Sequence, residues 1–152
     1  MTDPAADLQA AIDAFEHKIP FNRLLGLRLE AVAAEGASLT FDMREELVGN
    51  FVRGSLHGGV ISSALDTVGG LVAFLSVLER LDRANLEQGL ARLGNVGTID
   101  LRVDYLRSGV GKRFTATGSV LRAGNKVAVT RMELHNDEGT LIAVGTGTYL
   151  VG

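Results

Sequence analysis

The chain has 152 residues, of which 46% are hydrophobic and 22% charged, so its length and composition fit one compact domain with a buried core. The formal net charge of -3 excludes a general attraction to nucleic acid or anionic membranes, and any anionic ligand must meet a local group of cations. Cysteine is absent, which excludes disulfides, thiolate metal sites and cysteine nucleophiles.

The first residues predict an amphipathic helix over residues 1–19. Asp3 and Pro4 are typical of a helix start, apolar residues recur at helical spacing, and Pro20 ends the pattern. The same segment carries four acidic side chains, so it does not resemble a basic and apolar secretory signal. We therefore expect a cytoplasmic protein.

A hairpin and a buried helix are predicted next. Residues 27–33 and 37–43 have strand patterns and are joined at Glu35 and Gly36. Residues 58–78 are apolar on every side and contain one ionisable residue, which predicts a central helix. Its longest uncharged run has 12 residues, too few for a helix that spans a bilayer, so we expect no membrane association.

Residues 79–92 are rich in charge and predict a short exposed helix or a lid-like connection. After them, Ile99, Leu101, Val103 and Tyr105 alternate with polar residues, which is typical of a half-buried strand. Three more strands are predicted near residues 112–122, 126–136 and 140–150, separated by turn residues. This order predicts an α+β fold, in one domain of residues 1–152, whose curved antiparallel sheet wraps the central helix.

Two glycines, Gly58 and Gly59, begin the central helix. Backbone amides at a helix start lack intrahelical acceptors, and glycine allows a ligand to approach them closely. A thioester carbonyl that gains negative charge during attack could be stabilised there. The alternative interpretation is a tight turn from loop to helix.

Asp66 is the ionisable residue inside this apolar helix. Burying an unpaired carboxylate is costly, so the side chain should be paired or retained for chemistry, as a general base or nucleophile. The structural alternative is a carboxylate bonded to the backbone or to a hydroxyl such as that of Ser62 or Ser63. Gly59 and Asp66 are seven residues apart, or about 10 Å along a helix, so they cannot contact one carbonyl group. Two helices that run antiparallel across a two-fold axis would bring them together, which predicts a dimer with composite sites.

The segment from Asn50 to Asp66 resembles the PaaI-like branch of hotdog thioesterases, in which an Asn precedes His-Gly-Gly and an Asp follows nine residues after the His. Here His57 and Asp66 have that spacing, whereas Asn50 stands seven residues before His57 in place of the usual six. The resemblance extends from Phe21 to Tyr149 and includes Thr98, at the position of a Ser or Thr that faces the acid.

The resemblance implies a division of the site between two chains. Asn50 and the Gly58 or Gly59 amide would bind the carbonyl or orient water in one subunit, and His57 would shape the turn. Asp66 and Thr98 would come from the other subunit. It also implies the hotdog fold, a homodimer or dimer of dimers, and acyl-CoA hydrolysis. The connection at residues 79–95 resembles the subgroup that acts on medium and long acyl chains.

Cations concentrate in the last third of the chain and are candidates to bind the phosphates of CoA, with solvated strand faces as the alternative. They are Arg107, Lys112, Arg113, Arg122 and Lys126. His17 and His135 have no second ligand at helical or hairpin spacing, so we expect no metal and no other cofactor.

The sequence therefore predicts a thioesterase that hydrolyses a fatty or aryl acyl-CoA. A hotdog hydratase or dehydratase remains an alternative, although the His and acid motifs of those enzymes are not found. A non-catalytic acyl-CoA-binding protein is a second alternative, although Asp66 and His-Gly-Gly are both present. The Gly-x-Ser-x-Gly motif of a serine hydrolase is missing from the sequence.

Overall fold

The computed structural model describes residues 4–33, 36–80 and 91–152. The helices are α1 (Pro4–His17), α2 (Pro20–Leu25) and α3 (Gly58–Leu78), and the strands are β1 (Arg28–Ala33), β2 (Gly36–Asp42), β3 (Val48–Asn50), β4 (Ser55–Leu56), β5 (Gly97–Tyr105), β6 (Arg113–Ala123), β7 (Val127–Asn136) and β8 (Leu141–Leu150). The predicted hotdog architecture is confirmed, since a six-stranded antiparallel sheet packs on one long helix.

The sheet has the strand order β1-β2-β6-β7-β8-β5, so the hairpin predicted near the N-terminus joins the C-terminal meander through β2 and β6. Strand β5 forms one edge and pairs with β8 alone among the described strands. Strands β3 and β4 form a separate two-stranded ribbon before α3. This ribbon was not predicted, because strands of two or three residues leave no alternating pattern.

Helix α3 has the predicted bounds and packs its apolar face on the sheet. Leu65 and Val68 are fully buried, beside a stacked pair of Phe41 and Phe114 whose ring centroids lie 5.3 Å apart. By length and composition alone, the helix could cross a membrane. However, 61% of its most apolar stretch is buried inside the fold. Packing on the sheet therefore accounts for its hydrophobicity.

The N-terminal segment differs from the prediction. Helix α1 ends at His17, and Pro20, which was predicted only to end the N-terminal helix, begins a second helix, α2. Proline is well tolerated in the first turn of a helix, because the amide that it lacks would have no partner there. Gly26 then ends α2 with a positive φ of 69°, which glycine adopts without strain. Most of the charged connection, residues 81–90, lies outside the described residues.

Candidate active site

Asp66 lies on the part of α3 that is half-buried, with two hydroxyl groups on one of its carboxylate oxygens. Oδ1 accepts a hydrogen bond from Thr98 Oγ1 at 2.9 Å and another from the Tyr149 hydroxyl at 3.1 Å. The hydroxyls of Ser62 and Ser63 instead donate to the carbonyl oxygen of Gly59. No donor to Oδ2 is found in the described part of the chain, so this oxygen is left for other partners.

A β-bulge in β5 turns Thr98 toward the helix. Thr98 pairs with Tyr149, and Asp100 pairs with Thr148, so Ile99 is an extra residue between the two pairs. Residues directly opposite on neighbouring strands share a face of the sheet, which is why Thr98 and Tyr149 both contact Asp66. Ile99 is 57% exposed, so the bulge separates it from the half-buried Leu101 with which it was predicted to alternate.

Tyr149 is a site residue that the sequence did not reveal. Its ring is fully buried, and its hydroxyl also donates to the backbone carbonyl of Asp66 at 3.1 Å. Burial first, and then the nearby Asp66 carboxylate, raise the pKa of Tyr149 above its ordinary range, so the hydroxyl keeps its proton and remains a donor. A Cβ atom at Gly69 would lie 2.3 Å from this hydroxyl. Gly69, a glycine within a predicted helix, is the feature of the sequence that could have indicated this close contact.

His57 shapes the start of α3 in this structure. It is the N-cap residue, and its Nδ1 accepts a hydrogen bond of 2.8 Å from the Gly59 amide. Two backbone amides were predicted to donate to the substrate carbonyl, and one of them, the Gly59 amide, already donates to His57. The Gly58 amide has no acceptor within the described residues, and Gly58 becomes the better candidate.

Asn50 lies at the end of β3, in the ribbon that precedes the His57 turn. Its Oδ1 accepts hydrogen bonds from the amides of Val52 and Arg53, at 3.1 and 3.2 Å. The ribbon packs closely on the turn, since a Cβ atom at Gly49 would lie 2.5 Å from His57 Cα. The side-chain oxygen of Asn50 thus caps its own turn, and its amide group is the part that could reach a ligand.

Within one chain the candidate residues form two groups. Asn50, His57, Gly58 and Gly59 surround the start of α3, whereas Asp66 lies about 12 Å further along the helix, where Thr98 of β5 donates to it. No single small molecule of carbonyl size could contact both groups in one chain. The residues predicted to form one active site therefore lie at two separate places in the described chain.

A cavity of about 780 Å³ opens beside Asp66. Asp66, Thr98 and Tyr149 line one end of it, and the remaining wall is formed mainly by apolar residues of α1, α2 and α3. A cavity of this size and character is typical of a site for an apolar small molecule with one polar end.

The five candidate cations do not form one patch. Arg107, Lys112 and Arg113 lie at the end of the sheet near the His57 turn, whereas Arg122 and Lys126 lie at the far end of β6, roughly 30 Å away along the strand. Sequence proximity did not give spatial proximity, because an eleven-residue strand separates the two groups.

Two of these cations already have partners. Arg113 Nε donates to Asp42 Oδ1 at 3.0 Å, and the hydrogen bonds from Arg113 and then Arg28 lower the pKa of the Asp42 carboxyl group. Arg107 Nη1 donates to the Leu141 carbonyl at 3.1 Å. No group of three or more His, Asp or Glu side chains in the described ranges is placed to hold a metal ion.

Comparison with known proteins identifies the family. Residues 53–143 match the model of the thioesterase superfamily. The chain belongs to the thioesterase superfamily. The matched residues include α3 with Asp66 and all of β5 with Thr98, whereas α1 and α2 lie outside them. The superfamily membership expected from the His-Gly-Gly segment is confirmed.

Related proteins are similar to this chain over nearly its whole length. The medium/long-chain acyl-CoA thioesterase YigI of Escherichia coli K12 is 54% identical over 140 residues, which cover 92% of this chain and 90% of that protein. A crystal structure of a Shewanella oneidensis protein, described as related to the thioesterase superfamily, has a TM-score of 0.93 at 48% identity and covers 99% of this chain and 100% of its own. A solved Syntrophus aciditrophicus structure has a TM-score of 0.86 at 45% identity, with 97% of each chain covered.

Proposed function

We propose that this chain hydrolyses the thioester bond of an acyl-CoA to a free carboxylic acid and CoA, with Asp66 as the catalytic carboxylate. The observation that carries the proposal is the fixed carboxylate at the polar end of an apolar cavity, with Oδ1 held by Thr98 and Tyr149. The similarity to a protein named as an acyl-CoA thioesterase supports the same substrate class.

The geometry supports one role for each group in the proposed reaction. Because Oδ1 is engaged, Oδ2 of Asp66 takes a proton from water while the water oxygen attacks the thioester carbonyl carbon. The Gly58 amide stabilises the negative charge that develops on the carbonyl oxygen. The C–S bond then breaks, and the CoA thiolate takes up the proton. Direct attack by Oδ2 as a nucleophile would use the same orientation, and the tests below apply to both routes.

The site would be completed by a second chain. In the proposed homodimer, the Gly58 amide and Asn50 of one chain face Asp66 and Thr98 of the other, which removes the separation of about 12 Å within one chain. The edge strand β5 supports this arrangement, since one of its sides has no partner strand in the described chain. Two equivalent sites would result.

The CoA phosphates would be bound by cations at one of the two ends of the sheet. Arg107 lies at the end near the Gly58 amide, and Arg122 lies at the other end. We expect Arg107→Ala or Arg122→Ala to raise KM for CoA esters but not for acyl-pantetheine, which lacks the adenosine phosphates. The variant that raises KM for CoA esters alone would identify the end of the sheet that binds the phosphates. Equal increases of KM for both substrates would contradict a phosphate role.

Release of CoA, followed by detection of the free thiol, tests the activity. Asp66→Asn keeps the size of the side chain but cannot accept the proton, so we expect kcat to fall by at least about 100-fold. Glu138→Gln is the matched control, because it removes a negative charge from an exposed turn away from the cavity. Normal turnover by a folded Asp66→Asn variant would refute the assignment.

A mixed dimer tests the shared site. Gly58→Pro removes the amide donor, and proline suits this first helical position because His57 has an extended backbone, with φ of -62° and ψ of 136°. Gly58→Ala is the control that keeps the donor. A heterodimer of Asp66→Asn with Gly58→Pro has one site with both defects and one intact site, so activity should return to about half of wild type. If each chain held a complete site, this folded heterodimer would stay inactive.

A further inference from the structure

Strand β5 contacts α3 at two places. Thr98, near the start of the strand, donates to Asp66, and Tyr105, its last residue, lies beside the beginning of the helix. The Tyr105 hydroxyl donates to the Gly58 carbonyl oxygen at 3.3 Å. One strand therefore contacts the carboxylate and, separately, the residue whose amide is the proposed donor to the substrate carbonyl.

The bulge at Ile99 allows both contacts. Thr98 and Tyr105 are seven residues apart, and in a regular strand an odd separation places two side chains on opposite faces. Their partners on β8, Tyr149 and Ala143, are six residues apart and therefore share a face. The extra residue on β5 restores a common face, so both hydroxyls reach α3.

Backbone hydrogen bonds fix the end of β5 beside the start of the helix. The Leu106 amide donates to the Ile142 carbonyl oxygen of β8 at 2.9 Å. The Leu56 amide of β4 donates to the Gly109 carbonyl oxygen at 2.9 Å, so the segment after β5 is also joined to the ribbon before α3. The backbone near Tyr105 is therefore held on two sides, although this residue is 54% exposed.

The tyrosine contact fixes the peptide that follows the Gly58 amide. The carbonyl oxygen of this peptide accepts from Tyr105, and its N–H group, which belongs to Gly59, donates to His57 Nδ1 at 2.8 Å. Both ends of the peptide plane are thus engaged. Glycine has the greatest backbone freedom of any residue, so a fixed plane next to Gly58 restricts the direction of its N–H group.

Gly58 also admits the tyrosine ring. A Cβ atom at residue 58 would lie 3.4 Å from Tyr105 Cε1 and 3.9 Å from the hydroxyl oxygen, which is ordinary contact. The ring therefore lies directly against the residue that carries the amide, and phenylalanine at residue 105 would keep this packing.

We propose that Tyr105 is a positioning residue for the reaction. Through the Gly58 carbonyl it aims the Gly58 amide at the thioester oxygen on which negative charge develops. A donor that is already aimed lowers the barrier, because it needs no reorientation as the charge forms. The inference rests on the proposed thioesterase function and adds a residue to the part of the site that binds the carbonyl.

The kinetics of Tyr105→Phe measure the effect of the hydroxyl alone. We expect kcat to fall by about tenfold with KM nearly unchanged, since an aimed donor matters most in the transition state. Thr117→Val is the matched control, because it removes an exposed hydroxyl from β6. Its neighbour Gly118 faces α3, so Thr117 lies on the other face of the sheet and its loss should leave kcat unchanged.

Combination with Gly58→Pro separates positioning from a general structural role. If Tyr105 acts through the Gly58 amide, Tyr105→Phe should cost nothing further once Gly58→Pro has removed that donor. It should still cost about tenfold in Thr98→Ala, which affects the acid instead. An equal loss in both backgrounds would overturn the inference. Asp66→Asn is measured in parallel, since normal turnover there would refute the proposed catalytic carboxylate and leave this comparison intact.

A measurement without turnover completes the test. Nitrogen-15 relaxation of glycine-labelled protein reports the motion of the Gly58 amide, and a rigid backbone has an order parameter of about 0.85. We expect wild type and Thr117→Val to be near this value, and Tyr105→Phe to fall toward about 0.6. A fall supports the aiming of the amide even if no hydrolysis is detected. An order parameter that Tyr105→Phe leaves unchanged overturns the inference even if hydrolysis is fast.

Discussion

Thr98 and Tyr149 orient Asp66 from the sheet while α3 supplies its backbone. Both hydroxyls donate to the same oxygen, Oδ1, so the carboxylate cannot rotate freely and presents Oδ2 away from the sheet. Hydrogen bonds to a charged acceptor contribute about 1.5–3 kcal/mol each, more than a typical neutral pair. The buried tyrosine and the strand bulge thus act together as positioning groups for one carboxylate.

Tyr149→Phe should lower both turnover and stability. Removing the hydroxyl leaves the Asp66 carbonyl without this donor, so we expect the free energy of unfolding to fall by about 1–2 kcal/mol at neutral pH. Urea unfolding measures this loss, and circular dichroism checks that the variant keeps its fold. An unchanged kcat in the folded variant would contradict a positioning role for this hydroxyl.

The pH dependence of stability provides a second measurement on the same residue. Burial and the Asp66 carboxylate raise the pKa of Tyr149 above its ordinary value of 10.0, so the folded chain keeps a proton that the unfolded chain releases. Stability from this group is therefore complete below pH of about 10 and declines as the pH rises above that value. Wild type should lose stability more steeply than Tyr149→Phe in urea titrations above this pH. Parallel curves would contradict the raised pKa.

Some of these residues could be predicted from sequence and others could not. Asp66 stood out because it is the lone charge in an apolar helix, whereas His57 and Thr98 were named through the resemblance to the PaaI-like thioesterases. Tyr149 is 83 residues from Asp66, and its contact depends on strand register and on space left by Gly69, which no local pattern specifies. The hydrogen bond from the Gly59 amide to His57 depends on the rotamer of the histidine, which could not be predicted from the sequence either.

Helices α1 and α2 are held together by a buried amide. Asn22 is 2% exposed, and its Nδ2 donates to the Phe15 carbonyl at 3.0 Å, which joins the end of α1 to the start of α2. Glu16 of α1 also accepts a hydrogen bond from the Leu29 amide of β1. These two contacts fix α1 and α2, which line the cavity beside Asp66.

Asn22→Leu should loosen this part of the fold. The substitution keeps the approximate volume but leaves the Phe15 carbonyl without its donor, so we expect the free energy of unfolding to fall by about 1–3 kcal/mol. Urea unfolding measures the loss, and Asn125→Leu in an exposed turn serves as the matched control. If Asn22→Leu were as stable as wild type, the amide would not be what joins the two helices.

Elements with long periodic patterns were predictable, whereas short ones were not. The 21 residues of α3 and the three C-terminal strands have enough repeats to fix their type and nearly their ends. Helix α2 has six residues and begins with a proline, a residue that can either interrupt a helix or occupy its first turn. The bulge in β5 shifts the alternation by one residue, which a strict period of two cannot reproduce.

At the scale of the whole molecule, the edge strand β5 carries alternating charges. Asp100, Arg102 and Asp104 occupy every second position, and the Arg102 and Asp104 side chains form an exposed ion pair of 3.3 Å within the chain. Antiparallel pairing of β5 with a second copy, about an axis beside Leu101 or Val103, would place Arg102 opposite an acidic residue. The charge pattern therefore favours self-association at this edge.

Arg102→Asp should weaken the proposed dimer, because the two pairs in which Arg102 faces an acidic residue of the other chain would become pairs of like charge. We expect sedimentation to show dissociation at concentrations where the wild type forms the proposed dimer, with a parallel loss of turnover. Arg131→Asp on the interior strand β7 makes the same change in net charge and should leave assembly intact. The variant with all three charges of β5 inverted keeps the alternation and should restore the dimer, and failure to do so would argue against pairing at β5. Association of two such dimers into a tetramer stays a prediction that the same sedimentation runs would reveal.

The close contact between Gly69 and Tyr149 limits how this protein can evolve. Alanine in place of glycine within a helix usually stabilises a protein by up to about 1 kcal/mol, but here its Cβ would lie 2.3 Å from the tyrosine hydroxyl. Alanine could enter only together with a smaller residue at 149, and that exchange would remove a donor to Asp66. In a library that varies both positions, selection for thermal stability should retain glycine with tyrosine, because alanine gains at most about 1 kcal/mol and loss of the tyrosine hydroxyl costs about 1–2 kcal/mol. The glycine that weakens the helix locally is therefore retained through its contact with the tyrosine, and the two positions can change only together.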